Sequence, residues 1–168
     1  MDNPNLISKK SMAAMSSTLG SRAETIHEIF TKINNAKDKP KKIEVLKKFD
    51  KPYIRAILKA AFDPKIVWDI PEGMPPFKAN EAPLGTEHTV LSNQVNKLYH
   101  FIKGGDNTLN KAKKEIMFIQ LLEGLHKTEA EALIDVKDKK LNKTYKGLTA
   151  EMVKETFGWN DDFYRESK

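Results

Sequence analysis

Apolar side chains recur along most of the chain at the spacing of an α-helix, with charged positions between them. The first clear block places its apolar members on one face of a helix with 3.6 residues per turn. Those members are Ile26, Ile29, Phe30 and Ile33. Just before them, Ser21 and Glu24 have the spacing of a capping box, in which a hydroxyl and a carboxylate each bond an amide at the helix start. The pattern predicts an amphipathic helix here and leaves residues 1–20 as a flexible leader.

Two further amphipathic blocks follow, and each begins with an aspartate and a proline. Asp38 with Pro40 opens the second helix, and Asp50 with Pro52 opens the third, because proline is tolerated in the first helical turn. The third helix should end near Asp63, since the residue before a proline avoids helical dihedral angles.

The stretch from residue 66 to residue 88 lacks helical spacing. Residues 66–70 are β-branched and aromatic, which favours a short extended segment. Prolines and glycines then recur and prevent regular structure. They are Pro71, Gly73, Pro75, Pro76, Pro83 and Gly85. The composition predicts a long ordered loop or a linker.

Helical spacing returns in the second half of the chain. A fourth helix runs from about Val90 to Ile102 and ends at Gly104-Gly105, where glycine can supply a left-handed residue. A fifth helix is centred on residues 116–121, and Thr128 with Glu131 has the capping-box spacing for a sixth.

A last helix, capped by Thr149, completes an all-α fold. The blocks together predict a compact bundle of about six or seven helices with a long proline-rich loop. At 168 residues the chain suits one domain, residues 21–160, followed by an acidic tail at 161–168. No apolar run approaches the roughly 18 residues of a membrane span, and there is no cysteine. These features favour a soluble protein in a reducing compartment.

No catalytic or metal-binding motif is complete. His27-Glu28 begins like the HExxH of zinc proteases, but Thr31 stands where the second histidine is required. Gly104-Gly105 precedes a helix, yet neither of the glycine-rich phosphate-binding motifs is present. We therefore expect a protein that is not an enzyme, holds no metal and uses no cofactor.

Lysines give the chain its strongest chemical character. The formal charge is +6, which favours an acidic partner such as nucleic acid. Between residues 137 and 146 five lysines stand against one acid, in a connection between two helices where Gly147 would allow close approach of the main chain to phosphate. The candidate phosphate contacts are Lys137, Lys139, Lys140, Lys143 and Lys146, together with Lys111, Lys113 and Lys114 at the start of the fifth helix. A solvated basic surface is the alternative interpretation.

Two stretches of the chain resemble an uncharacterised family of tailed-phage proteins, chiefly from T4-like phages. They are residues 43–71, which contain Phe62-Asp63-Pro64, and residues 118–149, which contain Glu129-Ala130-Glu131-Ala132-Leu133. The resemblance covers about residues 24–160 and implies a phage origin and a setting in the host cytoplasm or the virion.

The same stretches resemble, more distantly, the helical N-terminal DNA-binding domain of ATP-dependent DNA ligases. The Phe62-Asp63-Pro64 turn stands where that family has Tyr-Asp-Pro, and residues 137–142 stand where it has Lys-Asp-Leu-Arg-x-Gly. The arginine and the glycine are not reproduced, so phosphate contact here would depend on the lysines. The ligase K-x-D-G lysine is also missing, since Lys48-Phe49-Asp50-Lys51 lacks the glycine. The resemblance therefore implies binding without joining.

The leading hypothesis is a non-catalytic phage protein that binds duplex DNA through phosphate contacts and is accessory to phage DNA metabolism. The alternative is a protein adaptor, a virion component or an inhibitor of a host enzyme, whose partner is a phage or host replication, transcription or virion protein. In that case the proline-rich loop would be the anchor, through Trp68, Met74 and Phe77. Trp68 and Phe77 could instead simply hold the loop on the body.

Overall fold

A computed structural model describes residues 24–79 and 89–163. The expected leader at 1–20, Ser21, the loop residues Pro83 and Gly85 and the end of the acidic tail lie outside the described residues. Within them the fold is all-helical, as predicted, with no strand and one antiparallel bridge between Trp68 and Ile102. The α-helices are α1 (Ile26–Asn35), α2 (Lys39–Lys48), α3 (Pro52–Phe62), α4 (Lys111–Gly124), α5 (Lys127–Lys137), α6 (Leu141–Thr144) and α7 (Ala150–Phe157).

The cap of α1 differs from the prediction. Thr25, not Ser21, is the N-cap residue: its hydroxyl accepts from the Glu28 amide at 3.2 Å and its own amide donates to the Glu28 carboxylate at 2.8 Å. The capping-box pattern Thr-x-x-Glu therefore occurs four residues later than expected. Asp38 and Thr149 cap α2 and α7 as predicted.

Two other helices begin close to where they were predicted, but with different caps. Asp50 does not cap α3 but forms a two-bond ion pair with Arg55, at 2.7 and 2.8 Å, and Lys51 stands at the N-cap position without a side-chain bond. At α5 the cap is the ring of His126, whose Nδ1 accepts from the Thr128 amide at 3.1 Å.

The predicted fourth helix is two short 3₁₀ segments, Leu91–Asn93 and Val95–Phe101. Ile102 leaves the helix because it pairs with Trp68, which is extended as expected for residues 66–70. Gly104 adopts the predicted left-handed backbone, with φ of 84°. Gly105 has a different role: a Cβ atom there would lie 2.1 Å from the Tyr99 carbonyl oxygen, so the chain turns tightly only with glycine.

One hydrophobic core joins the helices, with α5 packed against both α1 and α3, and α2 packed against α1 and α7. A buried carboxylate also ties the elements together. Glu129, only 1% exposed, accepts from the Ile26 amide and from the Leu91 amide, each at 3.0 Å. It thereby satisfies an amide at the start of α1 and another at the start of the first 3₁₀ segment. Among the described residues no helix has the length and apolar character needed to span a membrane.

Candidate nucleic-acid interface

The predicted lysine group begins at the C-terminus of α5, which ends in a Schellman motif. The Lys140 amide donates to the Asp135 carbonyl at 2.9 Å and the Lys139 amide donates to the Val136 carbonyl at 3.2 Å. Lys139 therefore occupies the left-handed position, with φ of 60°, that glycine usually fills. A lysine in this conformation has roughly 1–2 kcal/mol of backbone strain. We therefore expect contacts of its side chain to offset this cost in the folded protein.

That side chain joins the ends of two helices. The Lys139 ammonium donates to the Ala60 carbonyl at 2.7 Å and to the Asp63 carbonyl at 2.9 Å, where α3 ends. Burial lowers the pKa of Lys139, while the nearby Asp63 carboxylate partly opposes this shift. Lys139, which follows the C-terminus of α5, thus caps the C-terminus of α3.

Lys137 is enclosed in the protein. Its side chain is fully buried, and its ammonium donates to the Pro71 carbonyl at 2.8 Å and to the Gly73 carbonyl at 3.0 Å, and pairs with Asp138. The Asp138 carboxylate in turn accepts from the Gly73 amide at 3.1 Å. Lys137 and Asp138 therefore hold the start of the proline-rich loop against α5, and the Lys137 ammonium does not face solvent.

Like Lys139, which is exposed although its ammonium is bound, the last three lysines of this connection reach solvent. Lys140 pairs with Glu72 at 2.9 Å while remaining 45% exposed, and this contact raises its pKa. Lys143 and Lys146 are exposed, and neither forms an ion pair with any residue in the described part of the chain. These three ammonium groups are accessible to an external anion.

The lysines at the start of α4 also include both buried and exposed side chains. The Lys114 side chain is 5% exposed and lies 2.9 Å from Asp69, whose pKa is lowered chiefly by that hydrogen bond. Lys111, 76% exposed, lies 3.7 Å from the same carboxylate, and Lys113 is exposed. Lys111 and Lys113 therefore add two accessible cations.

Residues 69–73 bring the two lysine groups together. Asp69 binds Lys111 and Lys114, whereas Glu72 binds Lys140. The Cα atoms of residues 69 and 72 can be at most about 11 Å apart, because three residues cannot reach further. Lys111 at the start of α4 and Lys140 after α5 consequently flank one short segment. We name the five accessible lysines of the two groups, Lys111, Lys113, Lys140, Lys143 and Lys146, the basic face.

Gly147 does not have the role that was expected of it. Its amide donates to the Asn34 side chain at 2.7 Å, and a Cβ atom there would lie 2.6 Å from Cε of Lys42. The close approach that glycine allows is therefore to a neighbouring lysine, not to phosphate. Lys42 itself caps α1 through the Asn34 and Ala36 carbonyls, at 2.8 and 2.7 Å. Some of the lysines thus cap the C-terminal ends of helices within the protein.

His27, the start of the incomplete HExxH pattern, pairs with a tyrosine. Its Nδ1 lies 2.8 Å from the hydroxyl of Tyr145, a residue that is 5% exposed and packs edge-on against Phe30. Burial lowers the pKa of His27 and raises that of Tyr145. The Tyr145 ring is thus part of the hydrophobic core.

The three residues expected to contact a protein partner differ in accessibility. Trp68 is 8% exposed, and its indole NH donates to the Ala60 carbonyl at 3.3 Å. Phe77 is partly buried against the core, whereas Met74 is 65% exposed. Trp68 and Phe77 thus hold the loop on the body. The acids Asp69 and Glu72, which organise the basic face, were missed by sequence reasoning, although they are the only acids between residues 64 and 80.

Comparisons with known proteins leave the activity open. No curated protein and no solved structure matches the chain. Residues 29–143 match a family of unknown function, DUF6433, and this range contains most of α1, all of α2 to α5 and every predicted DNA-contact lysine except Lys146. Because the match spans more than half of the 168 residues, the protein belongs to the DUF6433 family.

Proposed function

We propose that the protein binds duplex DNA through its phosphate backbone, without sequence preference and without catalysis, as an accessory to phage DNA metabolism. The observation that carries the proposal is the basic face, in which two lysine groups distant in sequence flank residues 69–73. Exposed ammonium groups on flexible stems suit phosphate oxygens, and contacts to phosphate carry no sequence information. Lys137 and Lys114 support this face from within and do not touch DNA directly, whereas Lys139 is exposed but its ammonium is held by the Ala60 and Asp63 carbonyls.

The ligase resemblance supports the same surface. Its two stretches, residues 43–71 and 118–149, meet where Lys139 binds the Ala60 and Asp63 carbonyls and Lys137 binds the Pro71 carbonyl. The segment that replaces the ligase Lys-Asp-Leu-Arg-x-Gly motif thus sits beside the turn that replaces its Tyr-Asp-Pro. We propose that this junction is the DNA-facing part of a ligase-like helical domain of phage origin.

The triple variant Lys140→Ala, Lys143→Ala, Lys146→Ala tests the proposal. If about four phosphates are neutralised, log affinity should fall with log salt at a slope near −3.6, so a fourfold rise in salt weakens binding about a hundredfold. The variant should bind roughly thirtyfold more weakly at low salt, with a slope near −1, because each lost lysine removes about one unit of slope. Fluorescence anisotropy with a labelled 20-base-pair duplex measures both quantities.

A matched control has the same loss of charge away from this face. Lys47, Lys48 and Lys51 are exposed; the first two lie in the last turn of α2 and the third precedes α3. Changing all three to alanine should leave the salt slope within about one unit of wild type. Binding that does not depend on salt, or no binding to duplex at low salt, would refute the proposal.

Glu72→Gln should tighten duplex binding about three- to fivefold. The Glu72 carboxylate competes with phosphate for Lys140, and an exposed ion pair of this kind is worth up to about 1 kcal/mol. Glu44→Gln is the control, since Glu44 is 73% exposed on α2 and its removal changes the net charge equally. Equal tightening by both variants, in the same anisotropy assay, would mean that only net charge matters and not the position of Glu72.

A protein adaptor, virion component or host-enzyme inhibitor is the alternative. Met74 favours it, since this exposed side chain borders a cavity of about 290 Å³ that is also lined by Ile70, Pro75, Phe118 and Ile119. A host protein captured equally well with and without nuclease, and by the triple lysine variant, would support the adaptor over the DNA-binding function.

A further inference from the structure

A cavity of about 420 Å³ lies between the second 3₁₀ segment and α4, outside the basic face. Its volume falls within the range of small-molecule sites. Phe101, Met117 and Leu121 form its apolar lining, and none of the described residues that line it is acidic. Its polar lining residues are Thr89, Gln94, Lys97, His100 and Gln120. The cavity thus combines an apolar wall with hydrogen-bond donors and a cation.

Three of the polar residues form a row because the helix is 3₁₀. Gln94, Lys97 and His100 are spaced by three, and a 3₁₀ helix has three residues per turn, so side chains at this spacing eclipse one another. The Lys97 amide donates to the Gln94 carbonyl at 2.9 Å, the hydrogen bond expected for this geometry. In an α-helix, Gln94 and His100 would point in different directions.

His100 is held in a fixed orientation. Its Nδ1 lies 2.7 Å from the Asp106 carboxylate, and the other oxygen of that carboxylate accepts from the amide and hydroxyl of Thr108. The Thr108 hydroxyl, followed by His100, lowers the pKa of Asp106 to about 2, so the carboxylate is ionised and Nδ1 carries the proton. Asp106 does not line the cavity, and Nε2 has no hydrogen-bond partner in the described residues. The Nε2 edge is left for a ligand.

We propose that this cavity binds a phosphate monoester attached to a nucleoside. Lys97 would contact the phosphate, which carries nearly two negative charges at neutral pH, and His100, protonated on both ring nitrogens in the complex, would donate from Nε2 to a phosphate oxygen. The wall of Phe101, Met117 and Leu121 would receive the base. The same chemistry occurs in a free mononucleotide and at the 5′-phosphorylated end of a DNA strand. This inference is independent of duplex binding by the basic face.

Calorimetric titration of the full chain with thymidine 5′-monophosphate and adenosine 5′-monophosphate tests the inference, with thymidine and adenosine as uncharged counterparts. The nucleotides should bind at least tenfold more tightly than the nucleosides. Lys97→Ala and His100→Ala should each weaken nucleotide binding about tenfold, the usual contribution of a charge-assisted hydrogen bond. Lys103→Ala is the matched control, since Lys103 is exposed nearby but does not line the cavity, and it should bind like wild type.

Asp106 would be a positioning residue for His100, so its variant needs a readout of the ring itself. In Asp106→Asn, nitrogen NMR of the His100 imidazole should show loss of the preference for the proton on Nδ1, together with weaker nucleotide binding. A variant that binds more weakly with an unchanged imidazole spectrum would overturn this role. Lys97 is exposed, so Lys97→Ala keeps the test decisive if a variant at His100 or Asp106 fails to fold.

Duplexes with and without a 5′-phosphate identify the source of the nucleotide. The comparison is made in the triple lysine variant. If it prefers the phosphorylated duplex and Lys97→Ala abolishes this preference, the ligand is a strand end. If it binds mononucleotides but does not prefer the phosphorylated duplex, the ligand is a free nucleotide. Equal binding of nucleotides and nucleosides, no saturation at millimolar nucleotide, or wild-type affinity in both Lys97→Ala and His100→Ala would overturn the inference. The triple lysine variant should retain nucleotide affinity, so failure here is distinguishable from failure of the proposed duplex binding.

Discussion

Replacing Glu129 with alanine should lower the free energy of unfolding by about 2–6 kcal/mol. The variant leaves the buried amides of Ile26 and Leu91 without their acceptor, and each unsatisfied buried group costs about 1–3 kcal/mol. Since a domain of this kind is stable by only about 5–15 kcal/mol, the loss should be large enough to lower the melting temperature markedly. Urea denaturation followed by circular dichroism measures the change.

Two further variants show whether the loss of the Glu129 carboxylate itself causes the loss of stability. Glu129→Gln retains one acceptor oxygen and should fall between wild type and alanine. Glu131→Ala, two residues along the same helix, removes an exposed carboxylate and should change stability by less than about 0.5 kcal/mol. If Glu129→Ala were as stable as Glu131→Ala, the two amides would not depend on Glu129.

Lys137→Met should destabilise the protein by about 3–5 kcal/mol, even though methionine fills a similar volume. The side chain is fully buried, and its removal leaves the Asp138 carboxylate and the Pro71 and Gly73 carbonyls without their cation. Breaking one partner of a buried pair costs this much because the other charge is left uncompensated. Chemical denaturation gives the magnitude, and faster hydrogen exchange of the Gly73 amide should show that the loop start is released.

A second substitution and a surface control complete this test. Lys137→Met combined with Asp138→Asn should recover part of the loss, because the stranded charge is gone. Lys143→Met removes an exposed lysine of the same connection and should be nearly neutral. Equal effects of Lys137→Met and Lys143→Met would show that Lys137 is not the residue that holds the loop.

Features decided within a few residues could be predicted from the sequence. The apolar stripe of α1, the caps Asp38 and Thr149 and the end of α3 before Pro64 depend on local spacing, and all were predicted correctly. The bundle of helices followed from the same periodicity. Local patterns also produced the errors at helix starts, because Ser21 and Thr25 offer similar caps and the wrong one was chosen.

Features decided by distant residues could not be predicted. The cluster of lysines was visible, but Lys114, Lys137 and Lys139 find their acceptors 45, 66 and 79 residues away. Their ammonium groups are therefore bound by the protein itself, and nothing near them in the sequence distinguishes them from Lys143. The row of Gln94, Lys97 and His100 was hidden for a related reason, since the apolar spacing of residues 90–102 fits an α-helix as well as the 3₁₀ segments that form.

The left-handed Lys139 has a consequence for how the helices acquire structure. With glycine at this position, the end of α5 could close on its own, whereas lysine makes that turn costly until its ammonium reaches the carbonyls at the end of α3. The last turn of α5 should consequently form together with the docking of α3 and not before it. Lys139 alone thus makes the folding of α3 and α5, which are far apart in the chain, cooperative.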